Sequence, residues 1–253
     1  MCLCVVGFCL AINERNSYSS NGFSLFVSML YVVPTPIGNA DDITLRALKL
    51  LTHTSVIIAE RIASIRTLYA IHDLSTAGKT FVSYTGADDD KKFVSFLEQA
   101  RTQDVVVVSE AGTPGLSDPG KSLIALCHRL SIPFSVLPGA TALIPAVVAA
   151  PFPTHQFIFL GFLPHKKGRE TFLQALMNYD LPVFFYESVH RMGKLFEQGK
   201  KIGLTGNVWI AREISKQFES YRYGSFAEAA LAWESHQIVP KGEFVIGWNN
   251  NPI

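Results

Sequence analysis

The chain is poor in cysteine where a fold would need it. Three of its four cysteines, Cys2, Cys4 and Cys9, fall in the first ten residues, and only Cys127 lies elsewhere. No Cys or His spacing resembles a zinc site, the histidines stand singly, and metal is set aside. A lone internal cysteine suits a reducing cytoplasm. The chain also lacks net charge, with 22 basic against 21 acidic residues. A chain-wide positive field is excluded, so any nucleic-acid role rests on local basic patches. No apolar run reaches the length of a membrane span. Neither a G-x-G-x-x-G dinucleotide fingerprint nor a G-K-[ST] phosphate loop is present, and there is no internal repeat or low-complexity tract.

What is present is a large apolar fraction, 48% of 253 residues, enough for two modest domains or one with a large insertion. The first twelve residues, MCLCVVGFCLAI, are apolar but are neither preceded by a basic residue nor followed by a small-residue cleavage site. A polar Ser/Asn-rich stretch comes next. Residues 1–28 therefore read as an extension ahead of a start at Met29, with a targeting signal as the alternative.

The stretch Val105 to Gly120, VVVVSEAGTPGLSDPG, organises the rest. Four consecutive valines predict a strand buried on both faces, as inside a parallel sheet. The small residues and prolines after it force a turn at the strand's carboxyl end, where open α/β sheets bind ligands. Around it, strand patterns at Leu30–Pro34, Val56–Ala59, Phe81–Tyr84 and Phe134–Leu137 alternate with helical patterns. These are Ile43–Leu51, with Asp41 and Asp42 as cap candidates, Ile62–Ile71, Asp88–Ala100 and Lys121–Leu130. That alternation predicts a parallel, doubly wound sheet over residues 29–138.

Residues 139–253 differ in character. A small-residue helix, Thr141–Ala150, leads to aromatic strands at Phe157–Phe162, Val183–Tyr186, Val208–Arg212, Phe218–Tyr223 and Phe244–Gly247. With helices near Arg169–Met177 and His190–Glu197, this predicts a mixed sheet with helices to one side.

Three loops fall at one edge of the first sheet: Pro34–Asn39 (PTPIGN), Glu110–Gly120 and Leu137–Ala142 (LPGATA). Proline and glycine make each stiff and poor in side chains, so that a flat ligand can approach the backbone closely. With these, the motifs DDITLRAL, FIFLGFLP, YESVHR, AREISK and GEFVI follow in order. The sequence resembles the tetrapyrrole-methylase superfamily of S-adenosylmethionine enzymes, from about Met29 to Ile246, and within it the branch that modifies small-subunit ribosomal RNA.

The resemblance implies a two-lobed fold, usually dimeric, with the methyl donor S-adenosylmethionine held between lobes. It implies methylation of a ribose 2′-hydroxyl, of a cytidine, in 16S ribosomal RNA. Other acceptors on the same fold, such as a tetrapyrrole, and a donor-binding homologue without activity stand as alternatives. Carried over by motif, Thr35, Pro36 and Gly38 wall the donor, and Gly112, Thr113, Leu116 and Ser117 meet its methionine and ribose. Thr141 and Ala142 lie near the adenosine, with Tyr186 and Arg212 from the second lobe. The chain departs from the family at two places. Ala59-Glu60-Arg61-Ile62-Ala63 replaces Ala-Glu-Asp-Thr-Arg, and Ser83-Tyr84-Thr85-Gly86-Ala87-Asp88-Asp89 replaces a stretch with two histidines. Both would face the acceptor.

Deprotonating a ribose hydroxyl calls for a general base or a charge stabiliser. Glu60, Glu110 and Glu187 are candidates at strand ends, and Lys216 is another if an apolar setting lowers its pKa. The loop His165-Lys166-Lys167-Gly168-Arg169, with His190 and Arg191, is the candidate RNA contact, since a basic loop can follow phosphates without reading bases.

Overall fold

The computed structural model describes residues 28–84, 90–118, 120–165 and 168–251, and of residues 90–92 the backbone alone. The N-terminal extension lies outside the described residues, as do Thr85 to Asp89 of the second departure and the RNA-contact candidates Lys166 and Lys167.

The first sheet is parallel, in the order β3-β2-β4-β1-β5. Its strands are β1 (Leu30–Val32), β2 (Val56–Ala59), β3 (Thr80–Ser83), β4 (Val105–Val108) and β5 (Phe134–Val136). All four valines of β4 are buried, and alternate ones serve opposite faces, as the two-residue period of a strand requires. Val105 and Val107 pack with Phe93, Leu97, Leu123 and Leu126 of α3 (Asp90–Glu98) and α4 (Gly120–Leu130). Val106 and Val108 pack with Leu50, Leu51, Ile65 and Tyr69 of α1 (Leu45–His53) and α2 (Ile62–Ile71). The sheet is therefore covered on both faces.

The N-terminus of α1 corrects the sequence expectation. Thr44 is the cap, its Oγ1 accepting from Ala47 N–H at 3.1 Å. Asp41 and Asp42 instead form a short 3-10 turn capped by Asn39, which accepts from Asp41 N–H at 3.1 Å. A threonine three residues before a free helix amide can cap as well as an aspartate, and the nearer acids mislead.

The second sheet is mixed, in the order β6-β7-β10-β8-β9. It comprises β6 (Ile158–Phe162), β7 (Val183–Ser188), β8 (Asn207–Arg212), β9 (Ser220–Ser225) and β10 (Glu243–Asn249), with only β6 and β7 parallel. One face carries α6 (Arg169–Leu176), α7 (Val189–Lys201) and α8 (Phe226–Glu234). The other face is covered too, by α5 (Leu143–Ala149) and Phe152. Trp209 Nε1–H donates to Ala146 C=O at 3.0 Å across that contact. The segment after the first lobe is thereby fixed to the second sheet.

Several expected boundaries differ by one or two residues at an end, and two of them matter near the site. The strand expected at Phe218–Tyr223 begins at Ser220, and Phe218 is exposed. The helix expected from Thr141 begins at Leu143, leaving Thr141 and Ala142 before its first turn. Helix α8 was not anticipated. Its signal is the capping box Ser225-x-x-Glu228, in which each side chain bonds the other's backbone N–H.

Candidate functional site

The three loops at the carboxyl edge of the first sheet are tied to one another. Thr35 and Gly112 form an isolated antiparallel bridge, N–H to C=O at 2.9 and 3.0 Å. Thr113 Oγ1–H donates to Ala140 C=O at 2.8 Å. Gly139 lies so close to Pro34 that a Cβ there would be 2.6 Å from the ring. Within the middle loop, Asp118 Oδ1 accepts from the N–H groups of Gly115 and Gly120 at 2.6 and 2.8 Å. Ser117 is held at φ 66°, a left-handed conformation that a non-glycine residue keeps only when its surroundings demand it.

Between this edge and the second lobe lies a cavity of about 460 Å³, within the range of roughly 300–1,000 Å³ usual for small-molecule sites. It is lined by Gly112, Thr113, Leu116 and Ser117 from the middle loop, and by Thr141 and Ala142 from the third. Tyr186 faces them from β7. Burial pushes the pKa of the Tyr186 hydroxyl up, against the opposing pull of the nearby Thr141 side chain and Leu143 backbone. It stays protonated near neutrality and serves as a fixed polar group. The walls also include His190, expected at the RNA contact, and residues that motif reading passed over, among them Ile37, Phe162, Glu243 and Val245. Phe162 and Val245 sit in the GFLP and GEFVI motifs, so the motifs held the signal although no side chain had been drawn from them.

Seven of the eleven donor-site candidates thus line one cleft. The other four do not. Thr35, Pro36 and Gly38 line a second cavity of about 260 Å³ on the first lobe. Arg212 is 7% exposed, with its guanidinium given to Lys241 C=O (2.6 Å) and Phe218 C=O (3.0 Å). An arginine at a strand end reads alike in sequence whether it faces a ligand or ties two loops, and here it ties loops.

The four base candidates separate by their partners. Glu60 accepts from Glu110 N–H at 3.1 Å and borders a void of about 10 Å³. Glu187 touches the large cavity, but its side chain is 0% exposed and is shared between Arg169 (2.6 Å) and Arg191 (2.8 Å). Lys216 is paired with Glu243 (2.9 Å) and Glu213 (3.0 Å). Burial alone would lower its pKa, but the two carboxylates outweigh it and the net shift is upward. That overturns the idea of a lysine whose pKa an apolar setting lowers so that its neutral amine could take a proton. Glu110 remains. Its side chain is half exposed and is oriented by Arg61 Nη1 (2.9 Å) and Ser64 Oγ (3.3 Å).

The candidate RNA loop is also revised. Arg169 is 1% exposed, with its guanidinium spent on Glu187, Gln198 and Pro164 C=O. Arg191 is mostly buried against Glu187, Leu163 C=O and the Phe162 ring. Neither is free to meet a phosphate. A buried ion pair and a surface patch look the same in a basic sequence, because Glu187 lies eighteen residues from Arg169 and its i,i+4 spacing to Arg191 does not reveal burial.

The sequence profile described as Tetrapyrrole (Corrin/Porphyrin) Methylases matches residues 29–230. The chain belongs to this family of S-adenosylmethionine-dependent methyltransferases. It is 39% identical over 221 residues to the "Ribosomal RNA small subunit methyltransferase I" of Hydrogenobaculum sp. (strain Y04AAS1), covering 86% of this chain and 94% of that one. The protein of the same name from Thermotoga maritima is 34% identical, covering 86% and 96%. Among solved structures, diphthine synthase (TM-score 0.67, 13% identity, 88% and 90% covered) and the methyltransferase CobJ (0.63, 19%, 89% and 97%) share the fold. A uroporphyrin-III C-methyltransferase from Thermus thermophilus, complexed with S-adenosyl homocysteine, does so at TM-score 0.59 and 18% identity, covering 87% and 96%.

Proposed function

We propose that this protein methylates a ribose 2′-hydroxyl in 16S ribosomal RNA of the small subunit, with S-adenosylmethionine as donor. The observation that carries the reading is the similarity, over most of both chains, to curated enzymes named for small-subunit ribosomal RNA. The likeness to the solved tetrapyrrole enzymes is at 13–19% identity and supports the fold alone.

The cleft fits the donor. Gly112, with no side chain, admits a ligand close to the backbone, while Thr113, Ser117, Thr141 and Tyr186 offer polar atoms around an apolar wall that includes Leu116 and Ala142. Bound there, the donor supplies an electrophilic methyl on a sulfonium and leaves as a neutral thioether. The protein aligns the acceptor oxygen with that methyl and takes its proton. We assign the proton to Glu110. Its carboxylate is the only one of the candidates both exposed to an incoming acceptor and adjacent in chain to the cleft wall, at Ala111 and Gly112. RNA contact falls to the loop carrying Lys166 and Lys167, together with Arg61 and His190, which are exposed at the two cavities' margins.

No helix of the described residues is long and apolar enough to cross a membrane. A ribosomal substrate places the enzyme in the cytoplasm, and the family resemblance leads us to expect a homodimer. The test offers purified protein, radiolabelled donor and small subunits that lack the modification. Label recovered in a ribose supports the reading; donor binding without transfer to RNA would overturn it.

A further inference from the structure

The 260 Å³ cavity on the first lobe lies across the Thr35–Gly112 bridge from the donor cleft. The two cavities share a wall, since Ile37 and Ala111 line both. One side of the second cavity is apolar, built by Ile65 and Leu68 on α2 with Ile71 left 56% exposed at the rim. Ser64, one turn before Leu68 on the same helix, donates to Glu110 at 3.3 Å and adds a polar end to that wall. Thr35 is 4% exposed, and its Oγ1 is buried without a hydrogen-bond partner among the described residues. A buried hydroxyl left unmatched is costly, roughly 1–3 kcal/mol, and in a cavity wall it marks where a ligand atom completes the bond.

We propose that this cavity is the acceptor's base subsite: it receives one unstacked nucleobase of a single-stranded RNA segment. The base plane lies on the Ile65–Leu68–Ile71 wall and one edge meets the Thr35 hydroxyl. A base seated here carries its ribose to the shared wall, where Glu110 stands beside the donor cleft. Sequence-specific RNA recognition mostly takes bases out of the stack in this way, with apolar faces for the ring and a few polar atoms for its edge. Arg61, 66% exposed and paired with Glu110, sits at the mouth where the nucleotide's phosphate passes. This assignment rests on the proposed RNA methylation and names where that substrate binds. It also gives Thr35 and Pro36 to the acceptor side of the bridge.

Two substitutions test it. Ser64→Trp fills the cavity from α2, and Thr35→Val removes the hydroxyl while keeping the side chain's shape and the backbone bridge. Both are assayed for donor affinity by calorimetry and for methyl transfer to unmodified small subunits. Ser64→Trp is expected to bind the donor as wild type does and to lose transfer by at least about a hundredfold, the scale of a misplaced acceptor. Thr35→Val is expected to raise KM for the RNA about tenfold, the scale of one buried hydrogen bond, with donor affinity unchanged. Wild-type transfer by Ser64→Trp overturns the subsite, as does loss of donor binding in Ser64→Trp combined with an unaltered KM in Thr35→Val. If the unsubstituted protein transfers no methyl to RNA, the proposed function itself falls, a result distinct from either.

Discussion

Thr35 and Gly112, each in the loop leaving a neighbouring parallel strand, clasp one another by two backbone hydrogen bonds of 2.9 and 3.0 Å. The clasp joins β1 to β4 beyond the end of their own ladder, and it forms the partition between the two cavities. Gly112 makes its half at φ 79°, and a Cβ there would stand 3.3 Å from Ile37 Cγ2. Gly112→Ala is therefore expected to cost about 1–2 kcal/mol of stability from the left-handed backbone. Pushing Ile37 is expected to weaken donor affinity about tenfold, the scale of a one-bond misfit. Thermal melting and calorimetry read the two effects separately.

Glu187 links β7 to α6 and α7 through Arg169 and Arg191. Removing one member of a buried ionic cluster strands the others, at about 3–5 kcal/mol. Glu187→Gln should lower the unfolding free energy measured in urea by that amount, with a larger loss than Glu110→Gln at the exposed pair. An equal, small effect for both would show that the cluster is not the anchor of this lobe.

Lys216, Glu213 and Glu243 form a partly exposed clasp beside Gly38 of the first lobe. Burial would raise the Glu213 pKa, but the Glu243 N–H, Lys216 and Arg212 outweigh it and hold it below the ordinary 4.5. Lys216 is held above its ordinary 10.5. The carboxylate's contribution is present above its unfolded pKa and lost as pH falls through the folded one. The lysine's contribution is present below its unfolded pKa and lost as pH rises through the folded one. Lys216→Met should therefore destabilise by about 1 kcal/mol, discounted for solvent screening, near neutrality. The difference in melting temperature from wild type should shrink in strong acid. A difference that stays constant down to strong acid would refute the ionic origin.

Glu110→Gln keeps the side chain's shape and removes its capacity to take a proton. As general base its loss should lower kcat about 10²- to 10⁴-fold, with donor affinity unchanged. Glu60→Gln, whose carboxylate holds the Glu110 amide, should act mainly on stability. If the two variants show equal kcat, proton removal is not assigned to Glu110.

Much of the first lobe was legible before any coordinates. The β4 valines, the alternation of strand and helix, and the Pro/Gly turns are local patterns with local physical causes, and the strands formed where those patterns lay. Helix α8 was legible in principle, through its capping box, but its small alanine-rich face gave little periodic contrast. Seven of the donor-site candidates lined the cleft because the motifs that carry the family resemblance are the loops at this sheet edge and the end of β7.

The charged residues were a different matter. The sequence by itself determined the fold class, the edge of the sheet where the loops gather and the family to which the chain belongs. Only the tertiary structure decided that Arg169 and Glu187 neutralise one another inside the second lobe, and that Lys216 is clasped by two carboxylates. It also decided that Thr35 looks into a different cavity from Thr113. The physical reason is range. A turn or a strand is specified by neighbours in sequence, whereas a charge takes its role from whatever the fold brings within a few ångströms of it.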